Sequence, residues 1–187
     1  MTQSFATIDA TLQQAYAWAR RQLGSQDELA VLHLGAQHSG FALGRGPQPA
    51  SMLGFDLGLE RLAQRYFKTT PPSPLAMEHT IMVVEDVVMP LRAQLPRAAR
   101  LVSGDPLLLQ VAQLSLEATS ADPHAPLVLS LQAMEHTFNR LVDVVEGRPA
   151  TQEGLPVDAS FVAALLVLRE CMHHLHFDAV TLLQAPA

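Results

Sequence analysis

Apolar residues recur along the first segment of the chain at steps of three and four. Ile8, Leu12, Ala15, Ala19 and Leu23 form the stripe of an amphipathic helix over Ala6 to Leu23, and Gly24 supplies its stop. The pattern then changes. Short apolar runs at Leu29 to Leu34, Gly40 to Leu43 and Ala50 to Phe55 predict three strands. They are separated by a polar Gln37-His38-Ser39 link and a Gly44-Arg45-Gly46-Pro47 turn, the spacing of an antiparallel meander.

Helical periodicity returns with Leu59, Leu62, Ala63 and Tyr66 on one face of a short helix. Pro71, Pro72 and Pro74 interrupt the chain and start what reads as the longest helix, with a stripe of Met77, Ile81, Val84, Val88 and Leu91. Pro90 is expected to kink it and Pro96 to end it. Arg100 to Ser103 reads as a strand. Asp105-Pro106 is then a helix start, with the aspartate placed to cap free amides and proline at the first helical position. A Ser-, Asp- and Pro-rich loop from Thr119 to Pro126 precedes a helix from about Leu129 to Val145, and Gly147 to Pro156 is the next break. Asp158 to His174 is apolar on nearly every side, which predicts a buried helix, and Ala179 to Leu183 a final strand. Helices covering a mixed sheet, an α/β layer, follow from this order.

Composition narrows the picture. The 187 residues are 49% hydrophobic and 16% charged, which is one domain's worth of chain with ample material for a core. The longest apolar runs last about eight residues, against roughly 20 for a membrane span, and the N-terminus lacks the basic and apolar regions of a secretory signal. Cys171 is the single cysteine, so no intrachain disulfide forms; a cytoplasmic setting and no membrane association are expected. The basic residues are eleven arginines and Lys68. A formal net charge of −6 argues against general nucleic-acid binding.

Several clusters carry potential chemistry. Ala76-Met77-Glu78-His79-Thr80 recurs as Ala133-Met134-Glu135-His136-Thr137. Adjacent helical residues do not face one another and the flanks read as different, so the repeat is taken as helix composition rather than paired acid/base groups. His173 and His176 share a helical face that suits a transition metal, but no third ligand stands at a diagnostic spacing; the structural reading is preferred. Arg61, Arg65 and Lys68, with Arg20 and Arg21, would form either a local basic patch or a solvated face. Met77, Met82, Met89, Met134 and Met172 read as core or interface filling, and Cys171 as a core thiol. His33 and His38 flank one turn, where a histidine pair could bind an anion or act as a general acid.

Three meander strands followed by helix, strand, helix and strand is the order of a ribonuclease H-like fold, the half-unit of the actin-like ATPases. Ala30-Val31-Leu32-His33-Leu34-Gly35-Ala36-Gln37-His38-Ser39-Gly40-Phe41-Ala42-Leu43-Gly44, with Leu57-Gly58-Leu59-Glu60-Arg61-Leu62 and Arg65-Tyr66-Phe67, resembles the second half of the core of the exopolyphosphatase and guanosine-pentaphosphate phosphohydrolase (Ppx/GppA) family. The resemblance covers roughly residues 10 to 187. It implies residues 29–187 as a single ribonuclease H-like domain, with residues 1–28 a helix packing on it. The family's strand end Asp-x-Gly-Gly-Gly-Ser-x-Glu and later Gly-x-Ser-Gly-Thr would correspond to His33, Gly35, Gln37, His38 and Ser39, and to Gly104 and Asp105. These are the phosphate-loop equivalents. The last Gly-Gly turn would fall at Gln184-Ala185.

The departures shape the functional expectation. In the family the glycine-rich turn presents amides to phosphate and its aspartate helps hold a divalent metal. His33 stands at that aspartate's position, Ala36 and Gln37 replace two glycines, and Gly40 replaces the glutamate. Asp105 and Pro106 replace a serine and a glycine, adding a negative charge. Two unit charges about 4 Å apart repel by roughly 4 kcal/mol at an effective dielectric of 20. The family's upstream half, with one phosphate loop and the catalytic glutamate, is expected to be absent. The expectation is therefore an exopolyphosphatase-related, non-catalytic interaction or regulatory module. It has no catalytic residues, no metal and no cofactor, and its partner is a second copy in a homodimer or an unidentified protein. The alternative is residual polyphosphate or guanosine-pentaphosphate phosphohydrolase or phosphate-binding activity, within one chain or across a dimer, with a divalent metal such as magnesium. A mean hydropathy of +0.16 favours association.

Overall fold

A computed structural model describes residues 2–116 and 125–184, with side chains from Ile8 onward. Six strands form one mixed sheet in the order β3-β2-β1-β4-β6-β5. The meander is β1 (Leu29–Leu34), β2 (Ser39–Gly44) and β3 (Ser51–Phe55), antiparallel throughout, with Leu34 opposite Ser39. β4 (Arg100–Ser103) runs parallel to β1, β6 (Ala179–Leu182) parallel to β4, and β5 (Leu127–Ser130) antiparallel to β6 at the edge.

Strand alternation sends residues to two faces. On one lies α1 (Thr2–Leu23), whose Ile8, Leu12, Tyr16 and Ala19 bury against Leu29, Val31, Ala42 and Val102. Arg20 ties this helix to the meander by donating to the Tyr16 hydroxyl and to the carbonyls of Gly44, Ser25 and Asp27. On the other face Ala30, Leu32, Leu34, Phe41 and Leu101 meet a helical layer of α2 (Leu59–Tyr66), α3 (Pro74–Val88), α4 (Pro106–Leu116), α5 (Leu131–Val145) and α7 (Ala159–Leu175). α7 is the centre of that layer. Every residue from Phe161 to Leu168 is buried, as expected of a helix apolar on all sides and surrounded by α2, α3, α4 and α5. The Asp158 carboxylate caps it by accepting from the Phe161 amide at 3.0 Å.

Several expectations need correction. Leu127–Ser130 is a strand, not the approach to a helix starting near Leu129; the helix begins at Leu131, with Ser130 as its cap. The longest helix is α1, of 22 residues. The α-helical ladder from Pro74 stops at Val88 and continues as a 3-10 turn over Met89–Gln94, because Pro90 has no amide to carry the ladder onward. The break from Gly147 to Pro156 holds a one-turn helix, α6 (Ala150–Glu153). Most of the expected loop from Thr119 lies outside the described residues. Of the methionines, Met77, Met134 and Met172 are buried, whereas Met82 and Met89 are exposed.

The repeated pentapeptide has a structural origin, and its flanks do repeat at one position. Ser73 and Ser130 each stand three residues ahead of the repeat's alanine and accept its amide, at 3.3 Å from Ala76 and 3.1 Å from Ala133. Each copy then turns Met and Thr inward, with Thr80 and Thr137 donating to the carbonyls of Ala76 and Ala133. The repeat is the same helix start used twice.

Candidate functional site

β1 ends in the turn that carries most of the expected site residues. His33 and Asp105, 72 positions apart in sequence, meet there. The His33 Nδ1 lies 2.7 Å from the Asp105 Oδ1, and the Leu34 amide donates to Asp105 Oδ2 at 2.6 Å. Both carboxylate oxygens are thus committed to β1. The expected capping of the α4 amides gives way to this strand-to-helix bridge, while the Asp105 amide donates to the Ser103 hydroxyl at 3.2 Å. The hydrogen bond from Asp105 outweighs the opposing effect of burial and holds the His33 pKa above its ordinary value.

The remainder of the turn is closed against the start of α2. Gly35 and Ala36 offer their carbonyls to the amides of Leu59 and Glu60, at 3.0 and 3.1 Å, and Arg61 adds a longer contact to Ala36. The Gln37 carbonyl accepts from the Arg61 guanidinium, which also pairs with Asp56. That pairing is the main reason the Asp56 pKa is lowered. His38 joins the same carboxylate, its Nδ1 3.3 Å from Asp56 Oδ1. Ser39 is buried and donates to the Leu57 carbonyl at 2.7 Å. Gly35 has to be glycine: a Cβ there would stand 2.4 Å from the His38 carbonyl oxygen. Gly104 is covered by Trp18 of α1, whose ring would lie 2.3 Å from an added Cβ.

The expected site residues therefore fall into separate environments. His33 and Asp105 come together beside a small cavity of about 280 Å3 lined mainly by Leu34, Leu59, Pro106, Leu107 and Leu108. His38 turns to Asp56, so the two histidines do not converge. Arg20 is a strut of α1, donating to the Gly44 carbonyl, while Arg61 pairs with Asp56 beside α2. His173 pairs with Glu135, and His176 stands in the left-handed turn after α7. Gln184 donates to the Ala125 carbonyl at 3.2 Å, and Ala185 lies outside the described residues.

Solved structures share this architecture at low sequence identity. A Ppx/GppA phosphatase from Aquifex aeolicus superposes with a TM-score of 0.71 at 14% identity, over 92% of this chain and 59% of that one. The fold is that of the Ppx/GppA phosphatases. An exopolyphosphatase from Cytophaga hutchinsonii gives 0.71 and 14%, over 91% and 57%. An exopolyphosphatase-like protein gives 0.68 and 13%, over 96% and 61%. The chain thus spans about three fifths of the length of these structures. No family model matches the sequence, and no curated protein matches it.

The Ppx/GppA resemblance implies a hard divalent cation near β1, and the residues present do not fit one. Such an ion takes several oxygen ligands. Asp105 supplies the one carboxylate among the residues lining the cavity, and its two oxygens face the His33 ring and the Leu34 amide. What the arrangement offers chemically is an imidazole oriented by a carboxylate, next to an apolar hollow.

Proposed function

We propose that this chain is a binding module built on a phosphatase fold, and that it does not hydrolyse phosphate anhydrides. The observation that carries this reading is the internal closure of the β1 turn. The Leu34 amide faces the Asp105 carboxylate, the first amides of α2 face the Gly35 and Ala36 carbonyls, and Gly104 lies against the Trp18 ring. Phosphoryl transfer depends on positioned donors and cations around the transferring group, and an inward-facing carboxylate works against both. Phosphate release from polyphosphate, guanosine pentaphosphate and ATP, with magnesium or manganese, tests the reading. Background rates are expected. Turnover abolished by His33→Ala would overturn the proposal and establish a phosphohydrolase.

The partner favoured by this reading is a second copy of the chain. Leu75, Met82 and Met89 are 74%, 62% and 53% exposed, and they follow one another at seven-residue intervals along α3 into the turn after it. That interval returns each side chain to the same side of a helix, giving a stripe that a twofold axis can set against itself. Light scattering at micromolar concentration is expected to give a dimer, and Met82→Glu a monomer. A monomeric native chain removes the self-association claim and leaves the non-hydrolytic one standing.

A further inference from the structure

α7 leads through a short turn into β6, which runs parallel to β4 and β1. Its last turns therefore sit where the parallel strands begin, at the end of the sheet opposite His33. There Glu170 and His174, one helical turn apart, face Glu85 of α3. We infer that Glu85, Glu170 and His174 form a binding site for one divalent transition-type cation of the zinc class, joining α3 to α7.

Geometry is the first support. The His174 Nε2 lies 3.2 Å from Glu85 Oε1 and 3.2 Å from Glu170 Oε2, and one ligand atom from each residue lies within 4.8 Å of the others. Ligands around a tetrahedral zinc ion at 2.0–2.1 Å stand about 3.3 Å apart. An ion between the three atoms has all of them within about 2.4 Å, close enough for small side-chain movements to complete the bonds. An imidazole with carboxylates suits zinc and its first-row neighbours, and three protein ligands leave a coordination position open.

The hydrogen-bond inventory is the second support. The Nε2 makes a hydrogen bond to Glu85 Oε1 and has Glu170 Oε2 at the same 3.2 Å, long against the roughly 2.7–2.9 Å of a tight charge-assisted bond, so one nitrogen is shared between two carboxylates. The imidazole nitrogen is thus suspended between two oxygens at ligand spacing instead of bonded tightly to either. Glu170 is also 1% exposed. Its Oε1 accepts from Arg169 at 2.6 Å, while its Oε2 faces His174. Arg169 in turn is fixed by Glu135 at 3.1 Å and by stacking 4.4 Å over the Phe138 ring. This is the outer-shell support that orients a metal-binding carboxylate. The partly exposed Glu85 and His174 leave a route for the ion from solvent.

The test is calorimetric titration of the chelator-treated full chain with zinc chloride, paralleled by cobalt(II), whose visible absorption reports tetrahedral coordination. One saturable site per chain in the micromolar range or tighter is expected, with the cobalt signal appearing at the same stoichiometry. His174→Ala and Glu85→Gln are expected to weaken binding by at least about tenfold and to remove the cobalt signal. His136→Ala, a change at an exposed histidine of α5, is expected to leave both unchanged. Glu85→Gln alters a partly exposed position and keeps the test decisive if changes at buried Glu170 prevent folding. No saturable site, or affinity unchanged in both ligand variants, overturns the inference.

Discussion

Removing the Asp105 carboxylate tests the site's internal closure directly. In Asp105→Ala the Leu34 amide and the His33 ring both lose their acceptor, contacts of 2.6 and 2.7 Å at a carboxylate whose side chain is 15% exposed. Hydrogen bonds to charged groups contribute about 1.5–3 kcal/mol each, and two on one side chain are not fully additive. A loss of about 2–4 kcal/mol near pH 6 is therefore expected. In a domain of this size that lowers Tm by about 5–12 °C. The pH dependence separates the two contacts. His33 has a folded-state pKa raised above its ordinary value, chiefly by the hydrogen bond to Asp105. Its contribution is fully present below the unfolded value and is lost as pH rises through the folded one. The Leu34 amide does not titrate. Urea unfolding of both proteins from pH 5.5 to 9 should thus show a gap that narrows across and above neutrality yet stays open at pH 9. A gap that is constant, or that widens with pH, refutes the assignment of the His33–Asp105 pair as a charge-assisted contact.

Two further changes probe the scaffold around the site. Gly104→Ala places a Cβ 2.3 Å from the ring of Trp18, the single tryptophan, so the indole must move. A cost of about 1–3 kcal/mol and a shifted fluorescence emission are expected, and unchanged emission would show that the ring does not cover this turn. Ser73→Ala and Ser130→Ala each remove one side-chain cap from the repeated helix start, and each should cost about 1 kcal/mol in denaturant unfolding. Equal, additive losses in the double variant would confirm that the two starts act independently.

The sequence carried the fold well wherever one period ran long enough to stand out. β1 and β4 lie on the predicted residues, and the buried helix before the last strand is legible because nothing polar interrupts Phe161 to Leu168. β5 was not legible. It has four residues, Val128 is exposed on the edge of the sheet, and Leu127, Leu129 and Leu131 fit the start of a helix as well as a strand. The site was legible only in part. Asp105 before Pro106 is a strong capping signal, and nothing local indicates that its carboxylate reaches β1, more than 70 residues upstream. Glu170 and His174 do carry a local signal, four residues apart on one helix. It is hidden because Glu170 follows an apolar run and Glu85 belongs to another helix.

The closure at β1 also separates the two readings of function. Two helices begin beside that turn, and helix N-termini attract anions through their free amides. At α2 the first amides already face the Gly35 and Ala36 carbonyls; at α4 Pro106 removes one donor, and the Asp105 carboxylate just ahead of it is held by the His33 ring and the Leu34 amide. These acceptors belong to the same chain, so each is held at high effective concentration, and an external phosphate has to displace them before it can bind. A second copy of the chain can add donors from outside, but it cannot withdraw those carbonyls or that carboxylate. Dimerisation alone is therefore expected not to create a phosphate site. Phosphate release and equilibrium binding of pyrophosphate, measured from nanomolar to high micromolar protein, should stay at background at every concentration. Activity that appears as the chains associate would refute the closure argument and favour a cleft shared between two copies.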